Sequence, residues 1–423
     1  MNKNYALLFC LLIAYTSMLA QHMHRCGMDV YQQLRSQQDP DYLSRQEEMY
    51  RAVETYVRNH AGSRSDETFR IPVVFHVVYG NDEQNVSDEK LLEQLDILNR
   101  DYGRLNEDTV NTRPEFQPVA SSTGIEFFLA EWDPQGNPTN GITRTQTDVG
   151  SFWLSMTDMK TTSAGGIDAW DVNHYLNIWV CNMAIPFLNV PFILGFATPP
   201  EGAPNWPAGS GAEQPQYDGV VLHYQIVGSI DAPDETFATI SKGRTATHEV
   251  GHYLGLRHIW GDGDCSADDG LADTPTAGEA QQQTCDYTSN TCNDGPADLP
   301  DQIENYMDYT DENCMNMFTK EQTTAMRFIV ENFRNDLLLG TKNAPGVPTT
   351  KARMFPNPVE DYARIQLEGK DVPTGISIYS MDQRLIKKMP YSEMLDLSDL
   401  ERGLYFILVD YTNHKGFTRF SKK

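Results

Sequence analysis

The segment His248-Glu249-Val250-Gly251-His252-Tyr253-Leu254-Gly255-Leu256-Arg257-His258 places three imidazoles and a carboxylate within one short stretch. His248 and His252 are four residues apart, so on a helix their rings lie one turn apart on the same face. That spacing suits two vertices of a tetrahedral zinc site, with Zn–N distances of ~2.0–2.1 Å. Gly255 lets the chain turn sharply, after which His258 supplies a third nitrogen. Three protein ligands leave a fourth position open, as catalytic rather than structural zinc requires. Glu249 lies between the first two histidines, close enough to touch a metal-bound water without being a ligand. The chemistry expected is attack of that water on a scissile carbonyl, with Glu249 taking its proton and passing it to the leaving amine.

A helix over Ser241–Leu254, ended by Gly255, is expected to carry the first two ligands. Upstream, Arg70–Tyr79 is nearly continuous in apolar residues, the pattern of a strand in a sheet covered on both faces. Ser87 caps a helix through Leu91, Leu95, Leu98 and Tyr102, and Gly124–Trp132, Tyr175–Val180 and Val220–Tyr224 read as further strands. Thr319-Lys320-Glu321-Gln322 has capping-box form and opens a helix running to Leu339, closed by Gly340. Residues 21–62 are polar, with one helix from Asp41 to about Asn59, followed by an exposed, cleavable joint at Ser63-Arg64-Ser65-Asp66. After the linker Asn343–Thr350 the rhythm changes to five short β runs, the pattern of a small β-sandwich.

The 423 residues suit two or three domains, and 33 basic against 59 acidic residues give a net charge of −26. That balance excludes nucleic acid as a partner, because binding phosphates needs a basic surface. Ile259–Cys314 holds 14 Asp/Glu and no Lys, Arg or His, whereas Pro345–Lys423 is near neutral with 12 basic and 10 acidic residues. The basic start, the apolar run Ala6–Ala14 and a small residue at Ala20 describe a secretory signal peptide over residues 1–20. No later segment reaches the ~18 apolar residues of a membrane span. Of seven cysteines, Cys10 leaves with the signal, and Cys265, Cys285, Cys292 and Cys314 fall in the acidic stretch of an exported chain. Two disulfides are expected there, with all three pairings open. Cys181 reads as a buried strand thiol.

The extended motif resembles that of the metzincin metallopeptidases, whose methionine turn is matched by Asn305-Tyr306-Met307-Asp308-Tyr309. The acidic cysteine-rich insert, Asp273-Thr274-Pro275 and the Asn-Tyr-Met-Asp-Tyr run resemble in particular the pappalysin family, over about residues 66–340. The resemblance implies that Met307 floors the zinc site and that Tyr309 either stabilises the oxyanion or swings between zinc and substrate. It implies pairings Cys265–Cys292 and Cys285–Cys314. Asp268-Asp269-Gly270-Leu271-Ala272-Asp273-Thr274 offers the oxygen ligands that calcium takes, with Asp268, Asp269, Asp273 and Thr274 as side-chain donors, where similar proteins hold calcium. Asp311 and Glu312 are expected to line a pocket receiving Arg or Lys just after the scissile bond, which would let the enzyme cut beside Arg64. In Arg25-Cys26-Gly27, Cys26 is expected to fill the fourth zinc position and keep the enzyme latent, as in similar pro-enzymes, with a Cys26–Cys181 disulfide as the alternative. The tail, from Met354-Phe355-Pro356-Asn357-Pro358 through Gly403-Leu404-Tyr405 to Lys423, resembles the type IX secretion sorting domains of Bacteroidetes.

The expected chain is α+β: signal 1–20, prosegment 21–64, a metzincin catalytic domain 65–340, linker 341–350 and a β-sandwich sorting domain 351–423. The expected function is a secreted zinc metalloendopeptidase with structural calcium, made as a zymogen, acting on proteins or peptides and exported by the type IX machinery. A zinc hydrolase of non-peptide amides and an inactive adhesin that keeps the fold are the alternatives.

Overall fold

The computed structural model describes residues 24–60, 67–153, 155–186, 190–199, 214–293, 295–296, 298–339, 350–367, 372–380, 385–411 and 415–423. The expected signal peptide, the joint Ser63–Asp66 and most of the linker lie outside the described residues.

One mixed sheet organises the first 340 residues. Its strands are β1 (His24–Cys26), β2 (Phe69–Tyr79), β3 (Ile125–Leu129), β4 (Ile142–Gln146), β5 (Leu176–Cys181), β6 (Ile193–Ala197) and β7 (Val220–His223). The order is β1-β6-β7-β5-β2-β3, with β4 pairing the far half of β2. The β7–β5, β5–β2, β2–β3 and β2–β4 ladders are parallel, and β6 runs antiparallel to β7. The near-continuous apolar run of β2 is explained by its central position, for nine of its residues are buried. Three strands escape the sequence pattern, the three-residue β1 among them. Strand β4 buries only Ile142, its other residues being half-buried or exposed, and β6 is only five residues long with Gly195 at its centre.

The helices are α1 (Met28–Gln38), α2 (Tyr42–His60), α3 (Asp88–Tyr102), α4 (Arg244–Tyr253), α5 (Lys320–Phe333) and α6 (Asn335–Leu339). Ser87 caps α3, accepting from Lys90 N at 3.4 Å, and α3 packs on α4, where Tyr102 Oη donates to Thr247 O at 3.2 Å. Residues 21–62 contain two helices rather than the one expected. The additional one, α1, starts at Gly27 without any side-chain cap, so its N-terminus carries no sequence signal. Helix α4 starts at Arg244 rather than Ser241, because Gly243 adopts φ 72° and the Lys242 amide is taken by Glu312 Oε2 at 2.7 Å.

The capping box of α5 forms as expected, with Thr319 and Gln322 exchanging both bonds. The expected single helix to Leu339 breaks at Arg334, whose side chain turns inward. Its Nε donates to Tyr253 O at 3.0 Å and its guanidinium pairs with Asp218. One buried cation thus ties the end of α4, the approach to β7 and the closing helices together. Between Leu254 and Met317 no named helix or strand occurs among the described residues, and disulfides Cys265–Cys292 and Cys285–Cys314 cross-link this half. Cys26 and Cys181 are both free and buried, so the alternative bridge between them is absent.

The C-terminal region is a sandwich with its own core, built around Ile365, Ile376, Ile378, Leu397 and Ile407. Its strands are β8 (Thr350–Phe355), β9 (Tyr362–Leu367), β10 (Gly375–Ser380), β11 (Leu385–Pro390), β12 (Met394–Asp396), β13 (Gly403–Asp410) and β14 (Lys415–Lys422). Strand β8 joins the two layers by changing partner, from β14 at Thr350–Lys351 to β9 from Ala352 onward. Among the described residues no helix is long and apolar enough to cross a membrane.

Removing one partner of a buried ion pair strands the other charge. Arg334→Ala is therefore expected to cost about 3–5 kcal/mol in denaturant unfolding followed by Trp fluorescence. A loss below about 1 kcal/mol would show that the pair does not hold the closing helices.

Candidate metal centre and active-site cleft

Helix α4 is buried at every residue, so its polar side chains must find partners inside the protein. His248 Nδ1 lies 2.7 Å from Tyr306 O and His252 Nδ1 lies 2.8 Å from Leu256 O. A carbonyl only accepts, so both Nδ1 atoms carry the proton and both Nε2 atoms are bare lone pairs. His258 Nδ1 meets the Asp262 carboxylate in the same way. The free Nε2 of His252 is 3.0 Å from those of both His248 and His258. Three lone pairs converging at that distance repel one another unless a cation sits among them. Burial, reinforced by the neighbouring rings, lowers His248 far below the usual histidine range and His252 to about 3, which keeps both rings neutral as ligands must be.

Cys26 Sγ completes the group: the ligand atoms of Cys26, His248, His252 and His258 all lie within 4.8 Å of one another. Three imidazole nitrogens and a thiol form a donor set that zinc accepts in tetrahedral geometry. The residues present therefore fit a bound metal.

The surroundings aim these ligands. Gly255 adopts φ 87°, a turn favouring glycine, and His258 follows three residues later. Trp260 stacks on the His258 ring, with centroids 4.2 Å apart. Met307 is fully buried beneath α4, where a Cβ added at Gly251 would fall 2.5 Å from Met307 Sδ, so any side chain there would have to displace the methionine. The methionine turn also orients His248 through Tyr306 O, and Met307 O accepts from Ile259 N at 3.4 Å. Asn305 fastens the turn to α5, exchanging bonds with Gln322 at 2.9 and 3.1 Å. Tyr309 packs its ring against His258 and Trp260, with its buried Oη lacking a hydrogen-bond partner. Glu249 Oε1 is buried and unpartnered as well, and burial raises the Glu249 carboxyl to about 8 against the pull of Cys26 and Arg25.

The residues before α1 occupy this cleft. Strand β1 lies parallel on the edge strand β6, pairing Cys26 with Gly195. Cys26 Sγ is 3.5 Å from Glu249 Oε2, and burial, then the Glu249 charge, pushes the thiol well up. Arg25, a functional candidate that sequence reasoning quoted but did not use, is buried with its guanidinium on Thr310 O, Glu312 Oε1 (3.4 Å) and Met315 Sδ (3.3 Å). Glu312 is fully buried and held by Lys242 N at 2.7 Å and Thr245 Oγ1 at 3.0 Å. Asp311 instead caps its own turn, accepting from Asn313 N and Nδ2 at 2.8 Å.

In the acidic loop, Asp268 Oδ1 accepts from Gly270 N at 2.6 Å, and Asp269 Oδ1 accepts from Thr274 Oγ1 at 2.6 Å. Asp273 Oδ2 accepts from Glu321 N at 3.0 Å. Asp269 Oδ2 and Asp273 Oδ1 are buried without partners, and burial raises both carboxyls, Asp273 to about 6. No three acidic side chains of this loop gather within 4.8 Å of one another among the described residues. Sequence reasoning also missed Asp262, the partner of His258. Its only sequence signal is an acid four residues past the third histidine.

A mixed sheet over a buried helix, with convergent unprotonated imidazoles and a free carboxylate facing an edge strand, defines a metalloendopeptidase. Residues 161–331 match the M43 peptidase family, described as pregnancy-associated plasma protein-A, and the chain belongs to that family, the pappalysins. Residues 353–423 match the secretion system C-terminal sorting domain, so the protein is exported by the type IX route. The extracellular metalloprotease of Verticillium alfalfae is 30% identical over 283 residues, 65% of this chain and 82% of the relative. That of Arthroderma benhamiae is 28% identical over 270 residues, 62% of this chain and 73% of the relative. Among solved structures, mature mirolysin of Tannerella forsythia with a cleaved peptide is 41% identical with a TM-score of 0.56, covering 65% of this chain and 97% of that one. A promirolysin mutant of the same organism is 38% identical with a TM-score of 0.62, covering 74% and 97%.

Carboxylate partners of metal-bound histidines typically contribute 10–100-fold in affinity. Asp262→Ala is expected to weaken metal binding by roughly that factor in chelator competition, with the fold retained by circular dichroism. An unchanged affinity would remove Asp262 from the site.

Proposed function

We propose that the protein is the zymogen of a secreted zinc endopeptidase, with His248, His252 and His258 as ligands in every state and Cys26 as the fourth in the latent one. The convergence of three Nε2 atoms, that of His252 lying 3.0 Å from each of the others, carries this reading. When bound, zinc supplies Lewis acidity toward a water and the scissile carbonyl. Glu249 takes the proton from the attacking water and returns it to the departing amine, a role suited to a buried carboxylate with one free oxygen. Tyr309 Oη, free and buried beside the ligands, donates to the developing oxyanion. Met307 acts by packing, holding α4 from below.

Latency follows from the position of one thiol. With its Sγ among the three imidazole nitrogens Cys26 would hold the metal in place of a water, and at 3.5 Å from Glu249 it also occupies the base. The solved pro-form of mirolysin supports a zymogen, and the cleaved peptide in mature mirolysin supports peptide substrates. The neighbouring Arg25 marks the specificity pocket. Its guanidinium on buried Glu312 supports a preference for Arg or Lys just after the scissile bond, with Glu312 rather than Asp311 as the recognising charge. Cleavage by the enzyme itself just before Arg64 would then release the prosegment, residues 21 to about 64. For the acidic loop, the unpartnered oxygens of Asp269 and Asp273 support calcium, with Asp268 and Thr274 alongside. The sorting-domain match supports the type IX machinery as the export partner.

With mature enzyme and quenched peptides, Glu312→Gln is expected to reduce the advantage of Arg over Ala after the cut by roughly 10–100-fold. Cleavage of no peptide would sink the endopeptidase reading, and an unchanged preference would sink the pocket.

Full-length Cys26→Ala is expected to be active without processing, while Glu249→Ala should stay uncut when its N-terminus is sequenced. Full latency of the first would remove the switch, and normal maturation of the second would remove self-cleavage.

Calcium should raise the melting temperature at saturating zinc by several degrees, as about 1–2 kcal/mol of linkage does. No shift would leave the loop acidic for another reason.

A further inference from the structure

Away from the metal centre, a cavity of about 720 Å³ opens between the loop after β2 and residues 228–243, which lead into α4. Val86, Ile230 and Phe237 contribute an apolar floor, and Asp82, Glu83 and Asp231 stand exposed around it. Acidic residues are spread over this whole chain, so charge alone marks nothing. Here the charge rings a concave apolar surface of the volume that takes small ligands or several side chains. The one cation in the lining, Lys90, is already engaged by Glu93 at 2.8 Å and Ser229 O at 2.5 Å, which leaves the rim net negative.

The cavity is joined to the cleft by a single loop. Ser229–Asp234 and Phe237 line it, and two and five residues past Phe237 the same loop clamps the specificity pocket: Glu312 N donates to Thr239 O at 2.9 Å and Lys242 N to Glu312 Oε2 at 2.7 Å. A ligand combining basic heads with apolar stems matches both features, because Lys and Arg lay their methylenes on apolar surface while their charges meet carboxylates.

We propose that this cavity is an exosite for a basic, partly apolar stretch of a protein substrate on the C-terminal side of the cut. The inference rests on the endopeptidase reading for its role, but not for its binding test. The substrates favoured would carry a basic residue at the cut and further basic residues beyond it, and long substrates would gain over short ones.

The test uses full-length Glu249→Ala protein and labelled peptides of alternating Lys and Leu, or Glu and Leu, read by fluorescence anisotropy. The Lys peptide is expected to bind and the Glu peptide not, with affinity falling as salt rises from ~0.05 to ~0.5 M. The pair Glu83→Gln and Asp231→Asn should weaken binding about tenfold or more, one lost charge contact being worth ~1.4 kcal/mol. The same charge change at exposed Asp264 and Asp286 should leave binding unchanged. In the mature Glu249-containing enzyme, the first pair should lower kcat/KM on a long basic substrate and spare a short peptide. No binding of the Lys peptide, or equal losses from both pairs, would overturn the exosite. If the mature enzyme cut no peptide at all, the endopeptidase reading would fail, while the anisotropy result would still decide the cavity.

Discussion

Three imidazole lone pairs, with that of His252 held 3.0 Å from each of the other two, form an arrangement that the protein enforces and a cation relieves. Each ring is fixed from outside, by Tyr306 O, Leu256 O or Asp262, so none can rotate away from the common centre. Much of the surrounding structure serves to hold those outer acceptors still. Tyr306 belongs to the methionine turn, the turn is bonded to α5 through Asn305 and Gln322, and Arg334 returns from the end of α5 to the end of α4. Among the described residues, the loop-rich half that supplies His258 and Asp262 has no ladder of its own and is cross-linked by two disulfides.

The same geometry explains why so short a segment covers the cleft. Strand β1 has three residues, yet Cys26 stands at the ligand cluster and Arg25 on Glu312. Burying Arg25 without Glu312 would be costly, and burying a thiol beside Glu249 raises its pKa unless a metal draws off the proton. The segment is held through the contacts of Arg25 with Glu312 and of Cys26 with Glu249. Helix α2 adds remote anchorage, with Tyr56 stacked on Phe328 of α5 at 4.1 Å and Arg257, next to His258, placed over Tyr50.

What could be read from the chain alone follows the distance between partners. His248, Glu249, His252, Gly255 and His258 sit within one turn-and-a-bend of backbone, so their spacing alone conveys the chemistry. The capping box Thr319–Gln322 was equally local. The metalloendopeptidase class and the sorting tail, read from such runs, agree with the family matches. Arg25 and Glu312 are 287 residues apart, and no periodicity links them. Helix α1 begins at a glycine without a capping side chain, and β6 is short and broken by Gly195, so neither announces itself. The break at Arg334 depends on Asp218, which lies 116 residues upstream. Asp311 and Glu312 show the limit most sharply: adjacent acids of like charge, one turned to its own backbone and the other buried under Arg25.

The claim on which the rest stands is that one tetrahedral centre joins three histidines of the catalytic domain to a cysteine of the preceding segment. X-ray absorption at the zinc edge of the full-length protein addresses it directly. The expected first shell is three nitrogens at ~2.0–2.1 Å and one sulfur at ~2.3 Å, with the sulfur lost in Cys26→Ala. A shell of nitrogen and oxygen only in the unprocessed protein, or a sulfur that survives the substitution, would contradict it.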